Sequence, residues 1–399
     1  TLNYLDRQTL SILAPAIQDE FGLDNAALGW LFSVFYYSYT FSQFGVGALL
    51  DRSNLRWAYG LAVVAWSAAA ALTALATGFA SLIFFRLLLG VMESANWPAA
   101  MRIVSRALPP QERSLGNGIF TSGTSVGALI APAIILGISA SFGWRAAFIG
   151  VGALGIAWFA VWIAFTANPS LSLVWRDRTP AVQTAGGYRE ILRNPQFWRV
   201  FAVAILVNPC LYFNVNWLPV YFIQERGLEA GGQMVWILTA IYLGLDLGYL
   251  ACGAGVLWLT RNGRTVAQAR RTVFLAATAL LALCGAVPLA VRLEAAVALL
   301  AIVNFGVGAW IAMYLTMAQE VSATRVSTAA GLLGGSGSLA GAFAMWAVGS
   351  VTEQTGSFLL PMLAVTVAGL LAAAAGLAVT RREEPLEAVP RENQPREAT

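Results

Sequence analysis

Apolar stretches alternate with short polar turns along almost the whole chain. They cover residues 1–18, 29–50, 57–77, 80–104, 115–138 and 146–167, then 198–223, 233–258, 272–292, 296–318, 328–350 and 357–380. Each is near the ~20 residues an α-helix needs to cross ~30 Å of hydrocarbon. The pattern predicts twelve spans, six on each side of a polar segment that holds Pro, Gly, Thr and several charges. Trp57 to Phe85 carries no charge and is too long for one crossing, so it is expected to fold as a hairpin turning near Thr77 and Gly78. The expected organisation is a six-helix bundle over 1–167 with a truncated first helix, and a cytoplasmic loop over 168–197. A second six-helix bundle over 198–380 and a disordered cytoplasmic tail over 381–399 complete it.

Composition supports a lipid bilayer as the solvent. Of 399 residues, 58% are hydrophobic and 11% charged, against about 25% charged in a soluble domain. The expected class is therefore an all-α integral membrane protein. Net charge is +4 and every basic residue is Arg, scattered over loops with no stripe, so nucleic acid is excluded as a partner. Cys210, Cys252 and Cys284 lie singly in apolar runs without CxxC spacing, which predicts packing residues and no metal site.

Arginines collect in one set of loops: Arg52 and Arg56, Arg106 and Arg113, Arg176, Arg178, Arg189 and Arg193, Arg261 to Arg271, and Arg381 with Arg382. The alternate set is short and acidic or neutral, including Gln18 to Glu20 with Asp24, and Glu225 to Glu229. Strict alternation of this kind predicts that both termini and the middle loop are cytoplasmic.

Within the apolar fourth stretch stand two ions, Arg86 and Glu93. On a helix they share one face, roughly 10 Å apart along the axis. Ionisable groups at such depth mark a substrate or ion pathway; the other reading is a buried structural ion pair. Asn3, Asp6, Arg7 and Leu10 share a face of the first span, and Tyr36, Tyr39 and Gln43 share one of the second. Tyr36 fits either packing or a cavity, whereas Tyr39 is expected at the cavity.

On the seventh span Asn208, Tyr212 and Asn216 fall at i, i+4, i+8, with amide and hydroxyl groups suited to polyols. Pro209 and Pro219 predict a kinked or broken helix there. Asn304, Trp310, Tyr314, Ser336 and Ser338 are further candidate contacts, although the Gly-Ser cluster over 334–338 fits close helix packing better. The run from Gly47 to Arg56 is echoed by the run from Gly255 to Arg264. Related six-span halves place a binding site in a central cavity at the midplane between them.

Gly47-Ala48-Leu49-Leu50-Asp51-Arg52, followed by Arg56, resembles the signature of the major facilitator superfamily in the loop between its second and third spans. Asn3 to Thr9, the block Arg86 to Gly90 with Glu93 and Trp97-Pro98-Ala99, and Gly123 to Pro132 are similar to the anion:cation symporter family. So is Ile191 to Trp198. That family includes proton-coupled bacterial carriers of hexuronates, galactonate and glucarate, and animal organic-anion and vesicular glutamate carriers.

The resemblance implies that Arg86 binds the substrate carboxylate and that Glu93 carries a coupling proton. Asp6 and Arg7 match an acid that also titrates and an arginine beside the substrate, and Tyr39 matches a tyrosine that touches it. Asp51 is expected to pair with Arg52, Arg56 or Arg106 as a conformational latch. The second half has Leu259 where an equivalent acid would stand, so Asp246 is the candidate for a related role.

Together these readings predict a secondary transporter that imports a small organic anion, such as a hexuronate or hexonate, with a proton. Sodium coupling or anion exchange is the alternative mechanism, and a transporter-like sensor a remote one. A chain without His offers little to an enzyme, and no nucleotide-binding motif supplies an ATP-driven pump. No cofactor beyond the coupling ion is expected; the partners are the carboxylate and the bilayer, and the expected state is a monomer.

Overall fold

The computed structural model describes residues 1–23, 25–171, 175, 187–228 and 232–380. Asp24, Arg176, Arg178, Glu229, Arg381, Arg382 and the tail over 381–399 lie outside the described residues.

All regular structure among the described residues is helical. The first half runs α1 (Leu2–Phe21), α2 (Asn25–Arg52), α3 (Leu55–Leu72), α4 (Phe79–Glu93), α5 (Asn96–Ala107) and α6 (Arg113–Thr166). After the short α7 (Gly187–Arg193) come α8 (Pro195–Asn216), α9 (Leu218–Gln224), α10 (Gly232–Arg261) and α11 (Val266–Ala282). The chain closes with α12 (Leu293–Gln319), α13 (Val326–Thr355) and α14 (Leu359–Thr380).

Local chemistry marks the ends. Asn54 caps α3 by accepting from the Arg56 and Trp57 amides, and Asn194 caps α8 through the Gln196 amide. Thr265 and Gln268 form a capping box at the start of α11. The 54 residues of α6 cannot be one straight crossing, and the run breaks at Gly143, whose φ of 81° suits a residue without a side chain. In α8 the helix continues through Pro209 and ends at Asn216, with Pro219 in the first turn of α9.

Nine helices among the described residues are long and apolar enough to cross a membrane. The expected count of twelve is not reached by these nine: α1 and α2 are not among them, and α6 enters as a single run. Asp6, Arg7, Asp19 and Glu20 keep α1 polar for a span.

Burial follows the two halves. One apolar cluster is built from Ile191 to Ala373 with Met101 as its sole fully buried member from the first half. The other clusters draw on residues between Leu5 and Val151. The halves meet where α2 lies along α13 and where α6 lies along α10.

The expected strict alternation of arginines needs correction. Arg145 pairs with Glu20 at 2.6 Å and donates to the Ala76 carbonyl. Arg226 binds the Ala290 carbonyl at 2.8 Å, and Arg292 precedes α12. These three stand at the end opposite most of the arginines, where Arg145 and Arg226 bind groups of neighbouring turns.

Candidate functional site

A cavity of about 320 Å³ lies between the halves. Arg7, Tyr36, Tyr39, Gln43 and Arg86 line it from the first half, and Asn208, Tyr212, Asn216, Tyr314 and Ser338 from the second. Ser11, Tyr36, Val215 and Asn216 are exposed, so solvent enters the cavity from their end.

The first-half wall rests on three buried ionisable groups, Asp6, Arg86 and Glu93, and the partly buried Arg7. α1 packs against α6 and brings Arg7 to Glu93 of α4, where Nε donates to Oε1 at 2.6 Å. The Arg7 guanidinium also lies 4.6 Å from the centre of the Tyr39 ring and 5.0 Å from that of Phe35, a cation–π setting. Arg7 therefore stands at the cavity, with Glu93 fully buried behind it. Asp6 and Asn3 are also buried and do not line the cavity, and Leu10 packs in the core. Among the residues that shared a predicted face on α1, the cavity receives Arg7 alone.

Arg86 is 3% exposed, and its Nε and Nη2 have no hydrogen-bond partner among the described residues. The structural-pair reading of Arg86 with Glu93 needs correction: Glu93 is held by Arg7, which comes from a different helix. Oδ1 of Asp6 and Oε2 of Glu93 are likewise without partners. Removing a guanidinium from water costs several kcal/mol unless an anion compensates it. Arg86 lines the cavity with both of these N–H groups, at Nε and Nη2, unengaged.

The opposite wall is neutral. Nδ2 of Asn208 donates to the Ala204 carbonyl and Nδ2 of Asn216 to the Tyr212 carbonyl, both at 2.8 Å. Each amide is held by its own helix, and its Oδ1 has no protein donor among the described residues. The Tyr212 hydroxyl reaches Ser338 at 3.5 Å. Ser336 does not line the cavity. Asn304 and Trp310 are fully buried elsewhere: Asn304 bonds Asn214, and the Trp310 indole donates to Thr278 at 2.9 Å. The Trp310 indole and Nδ2 of Asn304 are thus engaged inside the second bundle, while Oδ1 of Asn304 has no partner among the described residues.

At the arginine-rich end the two halves are closed against each other. Asp51 accepts from the Ser327 amide at 3.0 Å, and from the Thr328 amide and hydroxyl at 2.7 Å each. Its ionic partner is Arg102 at 3.6 Å, which also donates to the Leu50 carbonyl.

The expected pairing with Arg52, Arg56 or Arg106 is therefore corrected. Arg52 is exposed with no polar contact among the described residues, and Arg56 turns to Thr166 and the Ile163 carbonyl. Arg102 was missed because it is one of several arginines near its loop; its place on the buried face of α5 singles it out.

A second clasp also escaped the sequence reading. Arg270 grips Glu320 through two bonds of 2.6 and 2.8 Å and donates to the Pro110 carbonyl across the interface. Asn117 and Gln319 exchange hydrogen bonds between the halves, and Gln319 also binds the Met101 carbonyl. Asp246 takes a different place from the expected latch, accepting from Ser125 of α6 at 2.5 Å. Ser125 has Gly-x-Ser-x-Gly spacing, but it lies within continuous helix, not the strand-to-helix elbow that gives that motif its chemistry.

The sequence profile of the Major Facilitator Superfamily matches residues 1–345. A hexuronate transporter of Bacillus subtilis is 30% identical over 397 residues, covering 96% of this chain and 92% of its own length. A D-galactonate transporter of Escherichia coli is 30% identical over 289 residues, covering 67% of each chain. The crystal structure of the E. coli fucose:proton symporter aligns with a TM-score of 0.71 at 14% identity, over 95% of this chain and 96% of that one. The chain belongs to the Major Facilitator Superfamily, resembles its anion:cation symporters in the Asn3 and Arg86 motifs, and is a membrane transporter, not an enzyme.

Proposed function

We propose that this protein imports a small sugar acid together with a proton by alternating access, as a monomer in a bacterial inner membrane with both termini cytoplasmic. The observation that carries the reading is Arg86, a buried cation with unengaged N–H groups, facing a wall of amides and hydroxyls. Arg is permanently charged, and its planar fork matches a carboxylate in a bidentate way. The facing amides and hydroxyls suit a polyol chain. The names of the hexuronate and galactonate relatives point to the same class.

The Arg7–Glu93 bond supplies a route to coupling. A carboxylate entering between Arg86 and Arg7 competes with Glu93 for the Arg7 guanidinium. Glu93, fully buried, then carries an uncompensated charge unless it takes a proton, and a buried unpaired charge is costly. Binding of the anion thus favours binding of a proton, with Asp6 as a second buried acid in the same cluster.

Asp51, Arg102, Arg270 and Glu320 hold the arginine-rich end shut while the cavity is reached from the other end. Rocking of one bundle against the other exposes the same cavity on the opposite side. Proteoliposomes loaded with unlabelled hexuronate or hexonate should show counterflow of the labelled acid, and an inward proton gradient should drive its accumulation. Absence of both for all sugar acids removes the reading.

A further inference from the structure

We infer that the cavity selects acids with a single carboxylate, aldonates and uronates, and disfavours aldarates, which carry one at each end. This rests on the sugar-acid reading above and specifies its substrate.

Both cations that line the cavity come from the first half, Arg7 and Arg86. Nε of Arg7 is committed to Glu93 at 2.6 Å and its Nη2 has no partner, whereas both Nε and Nη2 of Arg86 are without one among the described residues. The second-half wall offers Asn208, Tyr212, Asn216, Tyr314 and Ser338, with no basic group among the lining residues. Three second-half arginines are engaged elsewhere: Arg270 on Glu320, Arg325 on Glu190, and Arg226 on Tyr221 and the Ala290 carbonyl. None of them lines the cavity.

The amides sharpen the point. Asn208 and Asn216 each spend an N–H on a backbone carbonyl, which leaves Oδ1 as the atom with no protein donor. A carbonyl oxygen accepts from sugar hydroxyls and repels a carboxylate. A six-carbon acid anchored on Arg86 would meet amides and hydroxyls without a cation at its far end, where an aldarate places its second charge. A cavity of about 320 Å³ is at the small end of ligand sites, with little space for a hydrated carboxylate beside those oxygens.

Charge balance agrees. Arg7 and Arg86 offset Asp6 and Glu93 when both acids are ionised. One added carboxylate and one proton leave that balance unchanged, whereas an aldarate with one proton leaves a net negative charge in a low-dielectric interior.

Purified protein in detergent should be titrated with D-galactonate and D-glucuronate, which carry one carboxylate, and with galactarate and D-glucarate, which carry two. Thermal shift and competition against a labelled one-carboxylate acid give the affinities. The expected result is at least tenfold tighter binding of a one-carboxylate acid. Equal or tighter binding of the aldarates overturns this inference and leaves the sugar-acid reading standing. Failure of all four to bind defeats the sugar-acid reading itself.

Asn216→Arg adds a cation to the neutral wall and should shift the ratio at least tenfold toward the aldarates. A variant that still binds a one-carboxylate acid with an unchanged ratio would overturn the role given to that wall.

Discussion

Asp51, at the end of α2, sits on the N-terminus of α13 in the other half, where its Oδ2 accepts from both the amide and the hydroxyl of Thr328 at 2.7 Å. The residue preceding that helix, Arg325, supplies no side-chain cap. A carboxylate from across the interface therefore satisfies amides that a helix start leaves open, and its charge meets the positive end of the helix dipole. Arg102 neutralises the same carboxylate from α5. One acid thus binds three helices only while this end is closed.

Asp51→Asn should weaken that closure by about 1–3 kcal/mol, since it loses the charge-assisted bonds and the pairing with Arg102. Single cysteines placed on each face would report the shift: labelling should rise at the arginine-rich end and fall at the cavity mouth. Unchanged labelling with normal transport would show that Asp51 does not hold the closed state.

Close backbone contact between the halves provides a steric test. A Cβ at Gly47 would lie 2.1 Å from the Ser327 carbonyl oxygen, and one at Gly253 would lie 2.2 Å from Cα of Leu115. Gly47→Ala and Gly253→Ala should force the halves apart at this end and favour the alternate state. Gly248→Ala meets the Phe305 carbonyl oxygen at 2.1 Å inside one bundle. It should lower melting temperature without a comparable change in accessibility. If all three variants lose stability alike and none shifts labelling, the interface glycines are packing residues only.

Arg86→Lys keeps the charge but replaces a planar fork with a point charge. Substrate affinity should fall about 10- to 100-fold, the worth of a charge-assisted hydrogen bond of roughly 1.5–3 kcal/mol. Wild-type affinity and uptake in the lysine variant would remove Arg86 from the site.

Glu93→Gln keeps the shape and an acceptor for Arg7 but cannot carry a proton. Accumulation driven by a pH gradient should stop while exchange of labelled for unlabelled substrate continues. Continued concentration of substrate would transfer the coupling role to Asp6. Glu93→Ala leaves Arg7 without its partner and should cost about 3 kcal/mol of stability, the scale for breaking a buried pair. The glutamine variant should lose less, which thermal unfolding in detergent would measure.

Much of the fold was legible in residue order alone. Long apolar runs can exist in a bilayer only as helices that satisfy their own backbone, and breaks such as Asn54, Asn194 and Thr265 mark their ends locally. Periodicity also placed Tyr36, Tyr39 and Gln43 on one face, and Asn208, Tyr212 and Asn216 on another; both stripes line one cavity. The charges Arg86 and Glu93 stood out because their burial is costly wherever it occurs.

What periodicity cannot express is which helix lies beside which. Glu93 shares a helix with Arg86 yet pairs with Arg7, and Asp51 lies beside Arg52 in sequence yet pairs with Arg102. Asn3 and Asp6 turn inward while Arg7, one residue on, reaches the cavity. Helical spacing decides the angle at which a side chain leaves its axis, so the sequence determined the faces. Only packing between helices distant in sequence decided their partners, because those contacts depend on the rotation and depth of two axes at once.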